Sequence, residues 1–207
     1  MDGNVVVTLI RHGLTEANRQ KRYIGWTDEA LCEEGKKALE KSHYPKAPDL
    51  VIASDLQRAT ETAGIIYPKQ KFVALKELRE MNFGDWEQKT YSELKGDVRY
   101  QSWLRDMLHH EVPNGESYPT FSERVKSGWE KTVTYFFDET ISHIAMITHG
   151  GVIREILYRY GPEGSSYWQW RLDHGAYCSL TGKRTDVRRG KRCMLLSAER
   201  STEKENG

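Results

Sequence analysis

Six short runs along the chain are dominated by β-branched and other apolar residues: VVVTLI (5–10), LVIAS (50–54), FVAL (72–75), HIAMIT (143–148), AYCSLT (176–181) and RCMLLSA (192–198). Runs this short, bounded by polar residues and glycines, read as strands. The stretches between them predict helices over 33–43, 56–66, 97–109, 120–138 and 150–160. Strands alternating with helices predict βα units and a mostly parallel sheet covered on both faces. Only the polar segment KRTDVRRGKR (183–192) separates the last two runs, which predicts an antiparallel pair at one edge. The expected architecture is an α/β, three-layer α/β/α sandwich with a mixed central sheet of about six strands, forming one domain over residues 1–207. Residues 81–142 predict a helical cap insertion over one end of the sheet, and the polar ERSTEKENG (199–207) predicts a frayed tail.

Composition narrows the function classes. Charged residues make up 29% of the chain but nearly cancel, at a formal net charge of +1. No general positive field is available for nucleic acid or a membrane surface, so neither is expected as a partner. Cys32, Cys178 and Cys193 are odd in number and contain no CxxC pair, which fits reduced thiols and a cytoplasmic location. The amino-terminal apolar run is too short for a signal peptide or a membrane span. Six of the ten residues in 183–192 are basic. A solvated hairpin loop is the reading, with an anion-attracting rim as the alternative.

The ends of the four predicted parallel strands carry the chemistry. In an open α/β sheet, ligands bind beyond the carboxyl ends of the strands. VVVTLI is followed by Arg11, His12 and Gly13; LVIAS by Asp55 and Arg58; FVAL by Glu77, Arg79 and Glu80; HIAMIT by His149, Gly150 and Gly151. Singly, Arg58 reads as a surface helix arginine, His149 as a neighbour of a helix cap and Glu80 as a solvated carboxylate. Together they place two imidazoles, several guanidiniums and a carboxylate at one edge. Metal hydrolysis would need ligands at HxH or HExxH spacing; only His109-His110-Glu111 comes near, and adjacent helical residues face apart. GxSxG, GxxxxGK[ST] and a strand-linked GxGxxG are missing. A phosphate pocket remains, because guanidiniums match phosphoryl oxygens bidentately and a neutral imidazole is a competent nucleophile.

RHGLTEAN (11–18) resembles the RHGxTxxN signature of the histidine phosphatase superfamily, the phosphoglycerate mutase-like proteins. The resemblance continues in order through ASDLQRATETA, ELREMNFGDWEQKTYSEL, PNGES and ITHGGVIR, over roughly residues 5–160. It implies that His12 is phosphorylated during turnover, that Arg11, Arg58 and His149 hold the phosphoryl oxygens, and that Glu80 protonates the leaving oxygen and then activates water. It further implies that Asn18 donates an amide and that Gly13 orients the His12 ring through a carbonyl. Thr15 either donates its hydroxyl or structures the loop. Gly150 and the pair Ile24-Gly25 are expected near the substrate, with no metal and no cofactor. Attack needs a neutral His12 and donation a protonated Glu80, so a bell-shaped pH profile of kcat/KM is expected.

Departures from the family pattern bear on substrate. Glu80-Met81-Asn82-Phe83-Gly84 stands where cofactor-dependent mutases have Glu-Arg-His-Tyr-Gly, losing a guanidinium and a hydroxyl that grip phosphoglycerate. EMNFGDWE is instead similar to alpha-ribazole phosphatases and to related broad-specificity or phosphoserine phosphatases. Arg22-Tyr23-Ile24-Gly25 replaces the family's Arg-x-Gln-Gly, and Asp28-Glu29-Ala30-Leu31 lacks a turn proline. Trp103, Tyr118, Trp168 and Trp170 read mainly as core, with an apolar entrance for a large leaving group as the alternative. The expectation is a phosphomonoesterase acting on a small phosphorylated metabolite; a phosphoglycerate mutase and a non-catalytic phospho-ligand module are the alternatives.

Overall fold

The computed structural model describes residues 2–198 apart from Lys46 and Ser165, so the predicted tail 199–207 lies outside the described residues. Within them, six strands form one sheet: β1 (Asn4–Arg11), β2 (Leu50–Ser54), β3 (Phe72–Leu75), β4 (His143–Thr148), β5 (Tyr177–Lys183) and β6 (Met194–Ala198). Their order is β3-β2-β4-β1-β5-β6. β3, β2, β4 and β1 run parallel, while β5 is antiparallel to β1 and β6 antiparallel to β5. The sheet is therefore mixed and mostly parallel, as its sequence pattern predicts.

The two-residue period of the strands sorts side chains into two cores. Val5, Val7, Leu9, Ile52, Ile144 and Met146 face one side. There they meet α6 (Tyr118–Thr134) through Phe121, Val125, Trp129 and Val133, and α7 (Gly150–Tyr160) through Val152, Ile153 and Ile156. Ile10, Val51, Ala53, Ala145 and Ile147 face the other side and meet Ala59 and Ala63 of α3 (Gln57–Ile66). The central strands β1, β2 and β4 are largely hydrophobic on both faces because both faces are covered, whereas the edge strands β3 and β6 leave Phe72, Met194 and Leu196 exposed.

The remaining helices are α1 (Glu16–Arg19), α2 (Glu33–Lys41), α4 (Tyr91–Leu94), α5 (Val98–Arg105) and α8 (Arg184–Arg188). Three differ from expectation for local reasons. The helix predicted over 97–109 stops at Arg105, because the Asp106 carboxylate bonds the Leu108 N–H and His109 Nδ1 instead of continuing the helix. The helix predicted from 120 begins at Tyr118, since the Ser117 hydroxyl accepts from Thr120 N–H and caps it. It packs in the sheet's own core through Phe121, Val125, Trp129 and Val133. The expected solvated loop over 183–192 is corrected to α8 with Val187 buried. Two of the basic residues in 183–192 reach backbone acceptors, the Arg184 guanidinium at the Phe136, Asp138 and Glu139 carbonyls and Arg192 at those of Tyr158 and Gly161, while Lys183, Arg189, Lys191 and Arg192 are exposed. No described helix is long and apolar enough to cross a membrane.

Candidate active site

Strand β4 inserts between β1 and β2, so the chain reverses direction across the sheet at that point and leaves a crevice at the carboxyl ends. Arg11 is the last residue of β1, and Arg58 lies in the first turn of α3 after β2. His149 bridges β4 and α7. His12, Arg58 and His149 are buried, at 4%, 0% and 0% exposure. The His12 ring lies 5.0 Å from that of His149. The topology thus brings the sequence-predicted strand-end residues together.

His12 Nδ1 donates to the Gly13 carbonyl at 2.7 Å. A carbonyl only accepts, so Nδ1 carries the proton and the lone pair stays on Nε2, the atom free to attack. Burial holds His12 well below the ordinary histidine range, and the charges of His149, Arg58, His174 and Arg11 push in the same direction. Arg58 spends three of its five N–H groups on the protein: to the Gly25 and Thr27 carbonyls, at 2.7 and 2.8 Å, and to His149 Nδ1 at 3.3 Å. Two remain for a ligand. His149 has both nitrogens engaged, Nδ1 with Arg58 and Nε2 with Ser54 Oγ at 2.9 Å. As it stands the ring orients Arg58; holding a phosphoryl oxygen through Nδ1 would require that nitrogen to carry a proton and to give up the 3.3 Å bond, the longest of Arg58's three. The Arg11 guanidinium donates to the Leu172 carbonyl, while its buried Nε is one of the atoms without a partner among the described residues.

Glu80 stands at the other side of this cluster. Its Oε2 accepts from Gly151 N–H at the start of α7, and its Oε1 from Met81 N–H. A Cβ on Gly151 would lie 2.3 Å from Oε1, so only glycine lets the carboxylate sit there. The backbone beneath is fixed by Arg124, which donates to the Glu77, Arg79 and Glu80 carbonyls and forms a two-bond ion pair with Glu116 of PNGES. Asp55 and Arg79, also expected at strand ends, pair with one another at 2.7 Å. Glu77 pairs with Lys131.

The remaining candidates serve the loop. The Thr15 hydroxyl caps α1 and bonds Asn18 Oδ1, so it structures the turn and leaves the Asn18 amide N–H2 as the available donor. Ile24 is buried at 6% exposure and does not line the cavity described below. Gly25 holds Arg58 through its carbonyl and Glu87 through its N–H. A Cβ there would fall 1.8 Å from the Met81 carbonyl oxygen. No group of three or more His, Cys, Asp and Glu among the described residues is arranged to hold a metal ion.

The model of the histidine phosphatase superfamily (branch 1) matches residues 7–192. The chain belongs to this superfamily. The adenosylcobalamin/alpha-ribazole phosphatases of Escherichia coli (strain K12) and Salmonella typhimurium are 29% and 30% identical over 180 residues, covering 83% of this chain and 87% and 88% of theirs. The alpha-ribazole phosphatase of Shigella flexneri shares the fold at a TM-score of 0.74 and 30% identity, over 84% of this chain and 89% of that one. This histidine phosphatase is thus of the alpha-ribazole phosphatase-like kind, and its relatives support phosphatase chemistry.

Beside Arg11, Glu80, Gly150 and Gly151 opens a cavity of about 430 Å³, a size suited to a small organic ligand. Its walls are aromatic and apolar: Tyr23, Met81, Phe83, Trp103 and Met107 on one part, Trp168 and Trp170 on another. Trp103, Trp168 and Trp170 thus line an apolar recess, and Tyr118 does not; Tyr118 instead bonds Glu155. In the segment 167–174, sequence reasoning named Trp168 and Trp170 as an alternative entrance but missed Tyr167, Arg171, Leu172 and His174. The segment supplies cavity residues and also His174, whose ring lies 5.2 Å from His12 and whose buried Nδ1 has no partner among the described residues. The signal was present: Asp173-His174-Gly175 immediately precedes the run that enters β5, as RHG ends β1.

Burial pushes His174 down to about 3, and Arg11 adds to this. His149 is likewise held well below the ordinary range, by burial and then by Arg58. Three histidines are therefore neutral when folded and free to protonate when unfolded, once the pH drops through about 6.5. The unfolded state then binds more protons, so acid destabilises the fold. Each contributes up to about 1.4 kcal/mol per pH unit, so unfolding free energy is expected to fall as the pH drops below about 6, with the share of His174 continuing towards pH 3. Urea unfolding at stepped pH measures this, and His174→Gln should remove about a third of the slope. An unfolding free energy unchanged from pH 7 to 5 would contradict the neutral trio.

Proposed function

We propose that this protein is a phosphomonoesterase that hydrolyses small phosphorylated metabolites through a phosphohistidine on His12. One observation carries the reading: Nδ1 is tied to the Gly13 carbonyl, which leaves the Nε2 lone pair free on a ring whose protonation is opposed by burial and by the nearby Arg58 and Arg11. In the first step, Nε2 attacks phosphorus and the bond from phosphorus to the leaving oxygen breaks. The Glu80 carboxyl gives its proton to that oxygen. Arg11, the two free N–H groups of Arg58 and the Asn18 amide hold the three phosphoryl oxygens as charge spreads over them. In the second step, Glu80 takes a proton from water, the water oxygen attacks phosphorus, and the N–P bond breaks. Neutral His12 and inorganic phosphate result. The guanidiniums supply the charge stabilisation that a metal supplies elsewhere, so turnover needs no metal or cofactor.

The apolar wall favours a phosphatase over a mutase. Met81 and Phe83 stand where a mutase grips a small doubly anionic acid, and Phe83 packs on Tyr23 and Trp103. A bulky, flat leaving group fits that wall. The protein is taken to act in the cytoplasm on free metabolites. The names of its Escherichia coli and Salmonella relatives put alpha-ribazole phosphate first on a substrate panel. Phosphate release from alpha-ribazole phosphate, naphthyl phosphate and 3-phosphoglycerate, with and without EDTA, tests the reading. The two aromatic esters are expected to be cleaved faster, with EDTA making no difference. Abolition by EDTA, or phosphoglycerate isomerised faster than phosphate is released, would overturn it.

A further inference from the structure

The cavity carries more positive charge than one phosphoryl group accounts for. Three of its lining residues are arginines, Arg11, Arg154 and Arg171, and its only lining carboxylate is Glu80. Arg11 belongs to the phosphoryl end, with Arg58 behind it. Arg154 and Arg171 form no ion pair with a carboxylate among the described residues. Like charges left unpaired in a partly enclosed, aromatic recess repel one another and attract an anion.

Arg154 is also held in place. Its Nε donates to the Trp170 carbonyl at 3.3 Å, and its guanidinium lies 5.4 Å from the centre of the Tyr167 ring and 5.2 Å from that of Trp168. Trp168 is 65% exposed, so this stacking is not incidental to a packed core. A guanidinium fixed in this way loses little freedom when it binds. Its position along α7 is informative as well. Gly150 abuts the Arg11 guanidinium, and Arg154 is four residues further on, on the same helix face. Arg154 is therefore rooted one helical turn, about 6 Å along α7, beyond the residue that abuts Arg11. The aromatic wall occupies the same recess.

Building on the phosphatase reading, we propose that Arg154, assisted by Arg171, forms a second anion subsite for the leaving group. The preferred substrates are then phosphomonoesters of an aromatic or apolar alcohol that itself bears a carboxylate or a second phosphate.

Non-hydrolysable ligands test this without relying on turnover. Calorimetry would compare benzylphosphonate bearing a ring carboxylate with the same molecule bearing a neutral carboxamide, in each ring position, and with its ring-phosphonate counterpart. In the wild-type protein the best carboxylate or phosphonate isomer is expected to bind about tenfold more tightly than its carboxamide twin. Arg154→Met should bring that ratio to within about twofold of unity, and Arg171→Met should lower it less. Arg154→Lys keeps the charge without the planar stack and should give an intermediate ratio, which guards against a misfolded methionine variant. A ratio near one for every isomer in the wild-type protein, or one untouched by the substitutions at both positions, would overturn the subsite. A preference for the second phosphonate over the carboxylate would identify the leaving group's anion as a phosphate. Equal binding of the twins alongside normal phosphate release would sink the subsite alone. If no ligand binds and no phosphate is released, the phosphatase reading fails with it.

Discussion

Replacing His12 with alanine is expected to lower kcat/KM for an aryl phosphate by about 10⁴- to 10⁶-fold, the range seen when a covalent nucleophile is removed. The size follows from what the other residues do without it. Arg11, Arg58 and Glu80 remain and still bind and polarise a phosphate ester, but water must attack directly, from no fixed position. The fold should survive. The imidazole is already neutral and makes one hydrogen bond, to Gly13, so its loss costs about 1–2 kcal/mol. The decisive measurement is rapid quench with substrate labelled at phosphorus. Wild-type protein should carry label that is stable to alkali and lost in acid, as expected of an N–P bond, and the variant should carry none. Turnover within tenfold of wild type, or label on the variant, would remove His12 from the reaction path.

The part of this site that can be read from sequence is the part mounted on strands. VVVTLI and HIAMIT are apolar on both faces, so the charged groups directly after them stand out, and parallel pairing places those ends side by side. Arg58 was ambiguous by itself because a first-turn helix residue is exposed or buried according to what packs on it. Here the Gly25 and Thr27 carbonyls lie over it. The segment 167–174 carries no period to read. Its residues are placed by single contacts, such as Arg11 to the Leu172 carbonyl and Arg154 to that of Trp170. The one sequence signal there is Asp173-His174-Gly175 ahead of β5, and the role of Arg154 in α7 shows only through its contacts with this segment. Tryptophan is ambiguous for another reason: Trp103 is both 8% exposed and part of the cavity wall, so core and entrance were never exclusive readings. The basic run 183–192 was legible in part: Lys183, Arg189 and Lys191 are exposed as their charge implies, whereas the short helix and the reach of Arg184 and Arg192 to carbonyls on distant segments were not.

Arg58→Met should separate activity from stability. The guanidinium is fully buried, and no carboxylate forms an ion pair with it among the described residues. Burial accordingly depresses it, and more distant acids, Glu80 first, only partly oppose that. Keeping an unpaired cation there costs folding free energy; its bonds to two carbonyls and to His149 return some of it. Methionine fills similar volume without the charge but leaves those acceptors unpaired. The terms oppose, each being about a few kcal/mol, so the variant's stability without phosphate should lie within about 1 kcal/mol of wild type. Activity has no such compensation. The charge that develops on the phosphoryl oxygens loses a donor pair aimed at it, and kcat/KM should fall by about 10³-fold. Ligand linkage supplies an independent readout, because inorganic phosphate stabilises whatever binds it. Adding phosphate should raise the melting temperature of the wild-type protein and leave that of Arg58→Met almost unmoved. Equal stabilisation of both proteins, or activity within tenfold, would show that the buried arginine serves the fold and not the phosphoryl group.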